Sequence, residues 1–494
     1  MNGKMVRYIL GRMLGVEALL LLLPAFVGIL YGEEKEALSF VIPAVILTCI
    51  FVIAGRKRPE GQVIYGKEGM VVVASAWITW SLFGALPFTL SGSIPNFVDA
   101  FFETVSGFTT TGSSILRDVE ALPQCMLFWR SFTHWIGGMG VLVFLLAIIP
   151  LSGGSNINLM RAESPGPSVG KLVPKMRYTA RILYIIYFIM TMIQIILLVI
   201  GDKPLFDSIT TSFGTAGTGG FGIKNDSMMS CTPYQQWVVT IFMILFGVNF
   251  NAYYFILLKN VKKALAMEEV RGYFFIILAA TGIVFVNILD MSEGVFDALR
   301  HALFQVASII TTTGFATVDF NLWSETARTV LVLLMFIGAC AGSTGGGIKV
   351  SRFIVMIKAV AKELNAYIHP KSIKKIKMDG KPVENDVIRS INVYICTFFI
   401  IFAVSVFAVS LEGKDMVTTF TAVATAINNV GPGLELVGPT QNFGGLTPFS
   451  KVVLMFDMLA GRLELFPLLI MFNPLMWKEV LGRKKKAELP ATQK

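Results

Sequence analysis

The sequence predicts an all-α polytopic membrane protein. Four repeats, each a full span, a half-length re-entrant helix and a returning span, stand in pseudo-fourfold arrangement behind two N-terminal transmembrane helices. Three observations predict this fold: apolar runs of near-bilayer length, a Thr/Gly segment that recurs four times, and basic residues gathered in alternate connections.

Of the 494 residues, 54% are hydrophobic and 15% charged, against about 25% charged in soluble proteins. "YILGRMLGVEALLLLLPAFVGIL", "ILYIIYFIMTMIQIILLVI" and "VYICTFFIIFAVSVFAVSL" each approach the roughly 20 residues that cross a bilayer. The first run is long and lacks a small-residue cleavage site, which excludes a cleaved signal peptide. The formal net charge of +10 sits mainly in residues 55–62, 161–181, 259–271 and 369–382 and in the tail 482–486. The connections "YGEEKEALS" and "SLEGKDM" are mixed or acidic. Basic loops face the cytoplasm, so both termini are placed there, and the excess charge orients the chain in a bilayer and meets anionic lipid rather than nucleic acid. Cys49, Cys125, Cys231, Cys340 and Cys396 have neither CxxC nor metal-ligand spacing, so no disulfide or metal site is inferred.

The repeat is visible by direct comparison. "FETVSGFTTTGSS" (102–114) and "FQVASIITTTGFA" (304–316) share Phe, Ser and a TTTG block, and "DSITTSFGTAGTGGFG" (207–222) and "TTFTAVATAINNVGPG" (418–433) are further versions. Taking Gly112, Gly220, Gly314 and Gly431 as equivalent gives intervals of 108, 94 and 117 residues. Gly219 rivals Gly220, but Gly220 puts Asp207 thirteen residues upstream, as Asp99 is of Gly112. Each copy follows an apolar span (69–92, 178–200, 271–290, 389–410) and a short segment opened by Asp99, Asp207, Asp297 or Asp415, a residue type suited to a helix N-terminus. About a dozen residues rising 1.5 Å each cannot cross about 30 Å of hydrocarbon, so each segment is a re-entrant helix and loop. With spans at about 8–31 and 36–56 the count is ten full crossings and four re-entrant loops.

Non-helical backbone at membrane depth survives only when buried in protein or lining a water-filled cavity. Gly permits unusual conformations, and Thr offers carbonyl and hydroxyl oxygens together. Four such loops around an axis stack rings of oxygens able to replace a cation's hydration shell, with the half-helices aiming their negative ends at it. No acidic ring is present, which favours a monovalent ion, and the repeated Gly favours potassium.

Two features lie below the loops. Residues 327–358 form an apolar span interrupted by "ACAGSTGGGIKVSRF", whose glycines each cost about 1 kcal/mol in a helix. Gly342, Ser343, Thr344, Gly345, Gly346 and Gly347 read as a flexible intramembrane gate; a kink or close packing site is the alternative. Ile348 before Lys349 excludes a phosphate-binding P-loop. Arg462, about ten residues into a span starting near Val452, reads as a positive barrier facing the pore, with a structural cross-helix ion pair as the alternative. Glu103 either concentrates cations at the mouth or partners neighbouring backbone. His134, His301 and His369 are scattered and no nucleophile–base set is evident, so no catalytic residue is assigned.

"RSFTHWIGGMGVLVF" (130–144), the four loops, "GSTGGGIKV" and "AGRLELFP" (460–467) together resemble the TrkH/TrkG branch of the Trk/Ktr/HKT superfamily of potassium transporters, over essentially the whole chain. The resemblance implies four M1–pore helix–M2 units forming one pore per subunit, homodimers, a bacterial inner-membrane location, and K+ as the transported ion. It implies selectivity-filter positions at Thr110, Thr111 and Gly112; Thr218, Gly219 and Gly220; Thr312, Thr313 and Gly314; and Asn429, Val430 and Gly431. It makes residues 342–347 the gating loop and Arg462 the arginine beneath the filter. It also implies a cytosolic TrkA-type ring that binds nucleotide, docking on residues 357–382 or the tail; this chain has no G-x-G-x-x-G after a strand and no Walker motif, so it binds no nucleotide itself. The expected units are 1–60 (N-terminal helices), 61–160, 161–260, 261–380 and 381–494 (repeats 1 to 4). "NNVGPG" departs from the Thr-rich pattern and carries Pro432. A symporter coupled to H+ or Na+ is the competing function, with Asp457 and Glu464 as titratable candidates.

Overall fold

Among the described residues six helices are long and apolar enough to cross a bilayer, and the molecule is inverted relative to a soluble protein. Large apolar side chains such as Phe275 (73% exposed) and Val286 (71%) face outward, whereas the threonines of the repeated loops are buried at its centre. The computed structural model describes residues 3–57, 59, 66–140, 176–371 and 374–474. The basic segment at 161, the return span of repeat 1 beyond residue 140 and the tail at 482–486 lie outside them.

The N-terminal pair is α1 (Gly3–Leu30) and α2 (Glu34–Ile50), the latter running on as a π turn through Phe51–Gly55. A Cβ on Gly11 would stand 2.7 Å from the Gly55 nitrogen, so these helices cross backbone to backbone. Repeat 1 contains α3 (Gly66–Ser91), α4 (Phe97–Phe108) and α5 (Gln124–Gly138). Repeat 2 contains α6 (Met176–Ile200), α7 (Leu205–Ala216), α8 (Pro233–Phe246) and α9 (Phe250–Leu257), and the short α10 (Val261–Ala266) leads into repeat 3. Repeat 3 contains α11 (Glu268–Ile288), α12 (Val295–Ile310), α13 (Glu325–Phe336) and α14 (Val350–Ile368), then a small antiparallel hairpin, β1 (Lys377–Met378) with β2 (Lys381–Pro382). Repeat 4 contains α15 (Asn385–Ser410), α16 (Met416–Asn428), α17 (Pro448–Arg462) and α18 (Phe466–Met471).

The half-length helices α4, α7, α12 and α16 start as their polar residues direct. Asn96 caps α4 through the Val98 N–H and Asp415 caps α16 through the Thr418 N–H, while Asp99, Asp207 and Asp297 lie in first turns. Each return helix packs on the half-helix of the next repeat: α5 on α7, α8 on α12, α13 on α16, and α17 back on α4. That cycle closes the ring.

The expected break in the return span of repeat 3 is present, and the described residues show two further breaks that the sequence did not signal. Among the described residues six spans are unbroken: the N-terminal pair and the first long helix of each repeat. In repeats 2 to 4 the return spans break: α8 and α9 meet at 91°, residues 337–349 separate α13 from α14, and residues 463–465 separate α17 from α18. At the first break, Phe246 and Gly247 carbonyls accept from Thr344 and Cys340 of the Gly-rich loop. Backbone groups freed inside a membrane are thus satisfied by protein.

Candidate functional site

The four half-helices end alike. Thr110, Thr218, Thr312 and Asn429 adopt φ of 55°, 53°, 58° and 56°, and the next residue's N–H closes on a carbonyl five residues back: Thr111 on Ser106, Gly219 on Gly214, Thr313 on Ser308, Val430 on Thr425, at 2.8–2.9 Å. This is a Schellman-type end, where Gly is the usual left-handed residue. Three β-branched threonines there are genuine conformational outliers, repeated because the surrounding structure imposes them. Two residues further on, Gly112, Gly220, Gly314 and Gly431 again have positive φ, 75° to 104°. The backbone therefore aligns Gly220, rather than Gly219, with the other three.

These glycines bring the loops together. A Cβ on Gly112 would collide with the Gly219 carbonyl oxygen, one on Gly220 with that of Thr313, and one on Gly314 with that of Val430; one on Gly431 would stand 2.8 Å from that of Thr111. Loop touches loop in the order 1, 2, 3, 4, 1, always glycine to the neighbour's carbonyl. Thr110, Thr111, Thr218, Thr312, Thr313, Asn429 and Val430 are fully buried. The Asn429 amide donates to Thr111 Oγ1 and to the Met458 carbonyl, both at 2.9 Å, tying loop 4 to loop 1. Among the described residues no three His, Cys, Asp or Glu side chains gather as a metal site. The ring offers carbonyl and hydroxyl oxygens instead, chemistry suited to a weakly hydrated monovalent cation.

Residues 342–347 lie directly against the ring. The Gly346 N–H donates to Thr312 Oγ1 at 2.7 Å, and a Cβ on Gly346 would come within 2.6 Å of the Asn428 carbonyl oxygen. The loop is an ordered turn: a bridge pairs Ile337 with Ile348, Ser343 donates to the Cys340 carbonyl, and Gly342 accepts from the Phe250 N–H. Lys349, buried, donates to the Gly345 and Gly346 carbonyls, and Glu269 accepts from the Ala341 and Ser351 N–H groups. Arg462 is the last residue of α17 rather than a mid-helix residue. Its guanidinium donates to the Thr344 carbonyl at 2.9 Å and to the Gly137 and Gly138 carbonyls on α5, spanning from the loop to the opposite side of the ring.

The other charged candidates are engaged elsewhere. Glu103 is buried, pairs with Arg130 at 2.8 Å and accepts from Ser114 and the Ile115 N–H. It holds the outer end of loop 1 and is no free mouth charge. Arg130 also donates to the Gly222 carbonyl and lies 4.1 Å over Phe221, joining loops 1 and 2. Glu464 pairs with Arg352, and Asp457 accepts from Ser405 on α15. Arg130 and Glu269 escaped the sequence reading, which took His134 only as scattered and used Lys349 only to exclude a P-loop. The one usable signal was charge within otherwise apolar helices, which marks an intramembrane partner or site.

Residues 39–480 match the model of the TrkH family, described as cation transport protein. The potassium uptake protein TrkH of the Trk system in Salmonella typhimurium is 33% identical over 467 residues, 93% of this chain and 96% of the relative. The corresponding TrkG of Escherichia coli strain K12 is 32% identical over 466 residues, 92% of this chain and 95% of the relative. The crystal structure of the potassium transporter TrkH from Vibrio parahaemolyticus superposes with a TM-score of 0.85 at 31% identity, covering 97% of this chain and all of that one. The chain belongs to the TrkH family of cation transport proteins, multi-pass membrane transporters rather than enzymes.

Proposed function

We propose that this chain is the pore-forming subunit of a bacterial potassium uptake system, passing K+ through the four-loop ring by a channel-like route. The observation that carries the reading is the closed cycle of glycine-to-carbonyl contacts among loops 1 to 4. Such a cycle crowds backbone oxygens around one axis, and the C-terminal ends of α4, α7, α12 and α16 add negative potential there. Thr110–Gly112, Thr218–Gly220, Thr312–Gly314 and Asn429–Gly431 are the filter. Residues 342–347 with Arg462 are the gate, closed in the arrangement described.

Control by a cytosolic TrkA-type ring fits the wiring. The gate continues into α14, whose Lys358 bonds Glu268 and the Lys377 carbonyl, while the backbone N–H groups of Glu268 and Asp379 each donate to the other's carboxylate. Force on the hairpin therefore reaches the gate. Assembly as a homodimer, in the inner membrane with both termini cytoplasmic, belongs to the same reading. H+ or Na+ symport is disfavoured, because Glu464 and Asp457 are bonded away from the ring.

The test is Rb+ uptake into proteoliposomes with sodium competition. Uptake that follows the potassium gradient at every pH and is blocked weakly by Na+ supports the reading. A flux that tracks a proton or sodium gradient overturns it.

A further inference from the structure

Loop 2 departs from the others at one position. The residue before the ring glycine is Thr111, Thr313 and Val430 in loops 1, 3 and 4, each β-branched and buried, but Gly219 in loop 2. Gly219 keeps φ outside the left-handed region, so its backbone does not require glycine. Space does. A Cβ there would fall on Nδ1 of His134 from α5, and one on Gly217 would fall on the His134 carbonyl. His134 is fully buried, its ring edge-on to Phe221 with centroids 4.2 Å apart, and neither ring nitrogen has a hydrogen-bond partner among the described residues.

The repeat supplies an internal comparison. Gly138 on α5 and Gly247 after α8 both abut a first-span tyrosine hydroxyl (Tyr187, Tyr273) and the residue three before the next ring glycine (Gly217, Thr311). Four residues earlier stand His134 and Met243. A flexible methionine holds this register where the next loop carries Thr313; a stiff imidazole holds it where the next loop carries no side chain.

We propose that His134 is a positioning residue of the ring: its imidazole fills, from α5, the place that the missing side chain of residue 219 leaves. Through that contact it fixes the Gly219 carbonyl, which lies against Gly112. With no hydrogen bond at either nitrogen among the described residues, the ring acts by shape. The inference rests on the filter reading above.

The experiment is Rb+ uptake with sodium competition in a set of full-length variants. His134→Ala is expected to lower the K+ over Na+ preference by about tenfold, the equivalent of one net coordinating contact, while flux persists. Gly219→Thr added to His134→Ala refills the space from the loop and restores the preference; Gly219→Thr alone meets the imidazole and impairs transport. His134→Met, matching Met243, stays close to the natural protein. If His134→Ala fails to fold, a folded double variant with the natural preference supports the proposal and one with a lowered preference overturns it. An unchanged preference in His134→Ala, with Gly314→Ser lowering it, overturns the role of His134 and leaves the filter standing. An unchanged preference in both removes the filter reading itself.

Discussion

Replacing Arg462 with Ala removes a side chain that ties the proposed gate loop to the far side of the ring. The bonds lost include those to the carbonyls of Thr344 (2.9 Å), Gly138 (2.8 Å) and Gly137. A hydrogen bond from a charged donor is worth about 1.5–3 kcal/mol net. Water entering the vacated space takes over much of this, since all three acceptors are backbone carbonyls. One bond's worth, about 1.5–3 kcal/mol, is left as the loss of bias toward the closed gate, which shifts the closed–open balance about 10- to 150-fold toward open. The loop does not collapse, because Lys349 still holds Gly345 and Gly346, and Thr312 still holds Gly346. Initial Rb+ uptake without a partner ring, per reconstituted molecule, reads this directly. Arg462→Ala is expected to raise basal uptake at least tenfold and Arg462→Lys, with a single ammonium head, by less. Unchanged or lowered uptake in Arg462→Ala, with normal folding in detergent, refutes Arg462 as a closing contact.

Thr312→Val keeps the β-branched shape but takes the acceptor from the Gly346 N–H, a loss of about 1 kcal/mol, and basal uptake should rise about fivefold in the same assay. Arg130→Ala strands Glu103 as a buried charge, at about 3–5 kcal/mol; thermal unfolding in detergent should drop well below that of the paired change Arg130→Met with Glu103→Gln, and equal losses would contradict the argument. Gly112→Ala, Gly220→Ala and Gly314→Ala each force a side chain into left-handed backbone, at about 1–2 kcal/mol, and against a neighbouring carbonyl. Their sodium competition should rise, whereas Gly445→Ala, with nothing within 4 Å, stays unchanged.

The repeat carried most of what could be read in advance. Four Thr/Gly segments at similar intervals, each behind an acidic helix start, fix a fourfold plan whatever the surrounding sequence, and Asp207 was enough to choose Gly220 over Gly219. The Gly345–Gly347 run likewise announced the break between α13 and α14. The breaks after α8 and α17 were hidden, because Gly247 alone is a tolerated helix residue and Glu464 and Leu465 carry no turn signature, yet both take positive φ. What ends those helices is the loop from repeat 3 and the arginine contacts, interactions between residues about 100 to 325 positions apart. Glu103 was ambiguous for the same reason: its partner Arg130 lies on another helix, beyond any local pattern. His134 was read as scattered because its meaning depends on the absence of a side chain at residue 219.

In the proposed function the four loops coordinate the ion. Anomalous diffraction from crystals soaked in Tl+, a heavy stand-in for K+, tests it most directly. Peaks are expected on the axis between the loops, within coordination distance of the carbonyls of residues 110–112, 218–220, 312–314 and 429–431, and weakened in Gly314→Ser. Tl+ bound elsewhere in the membrane region with the ring empty would contradict it.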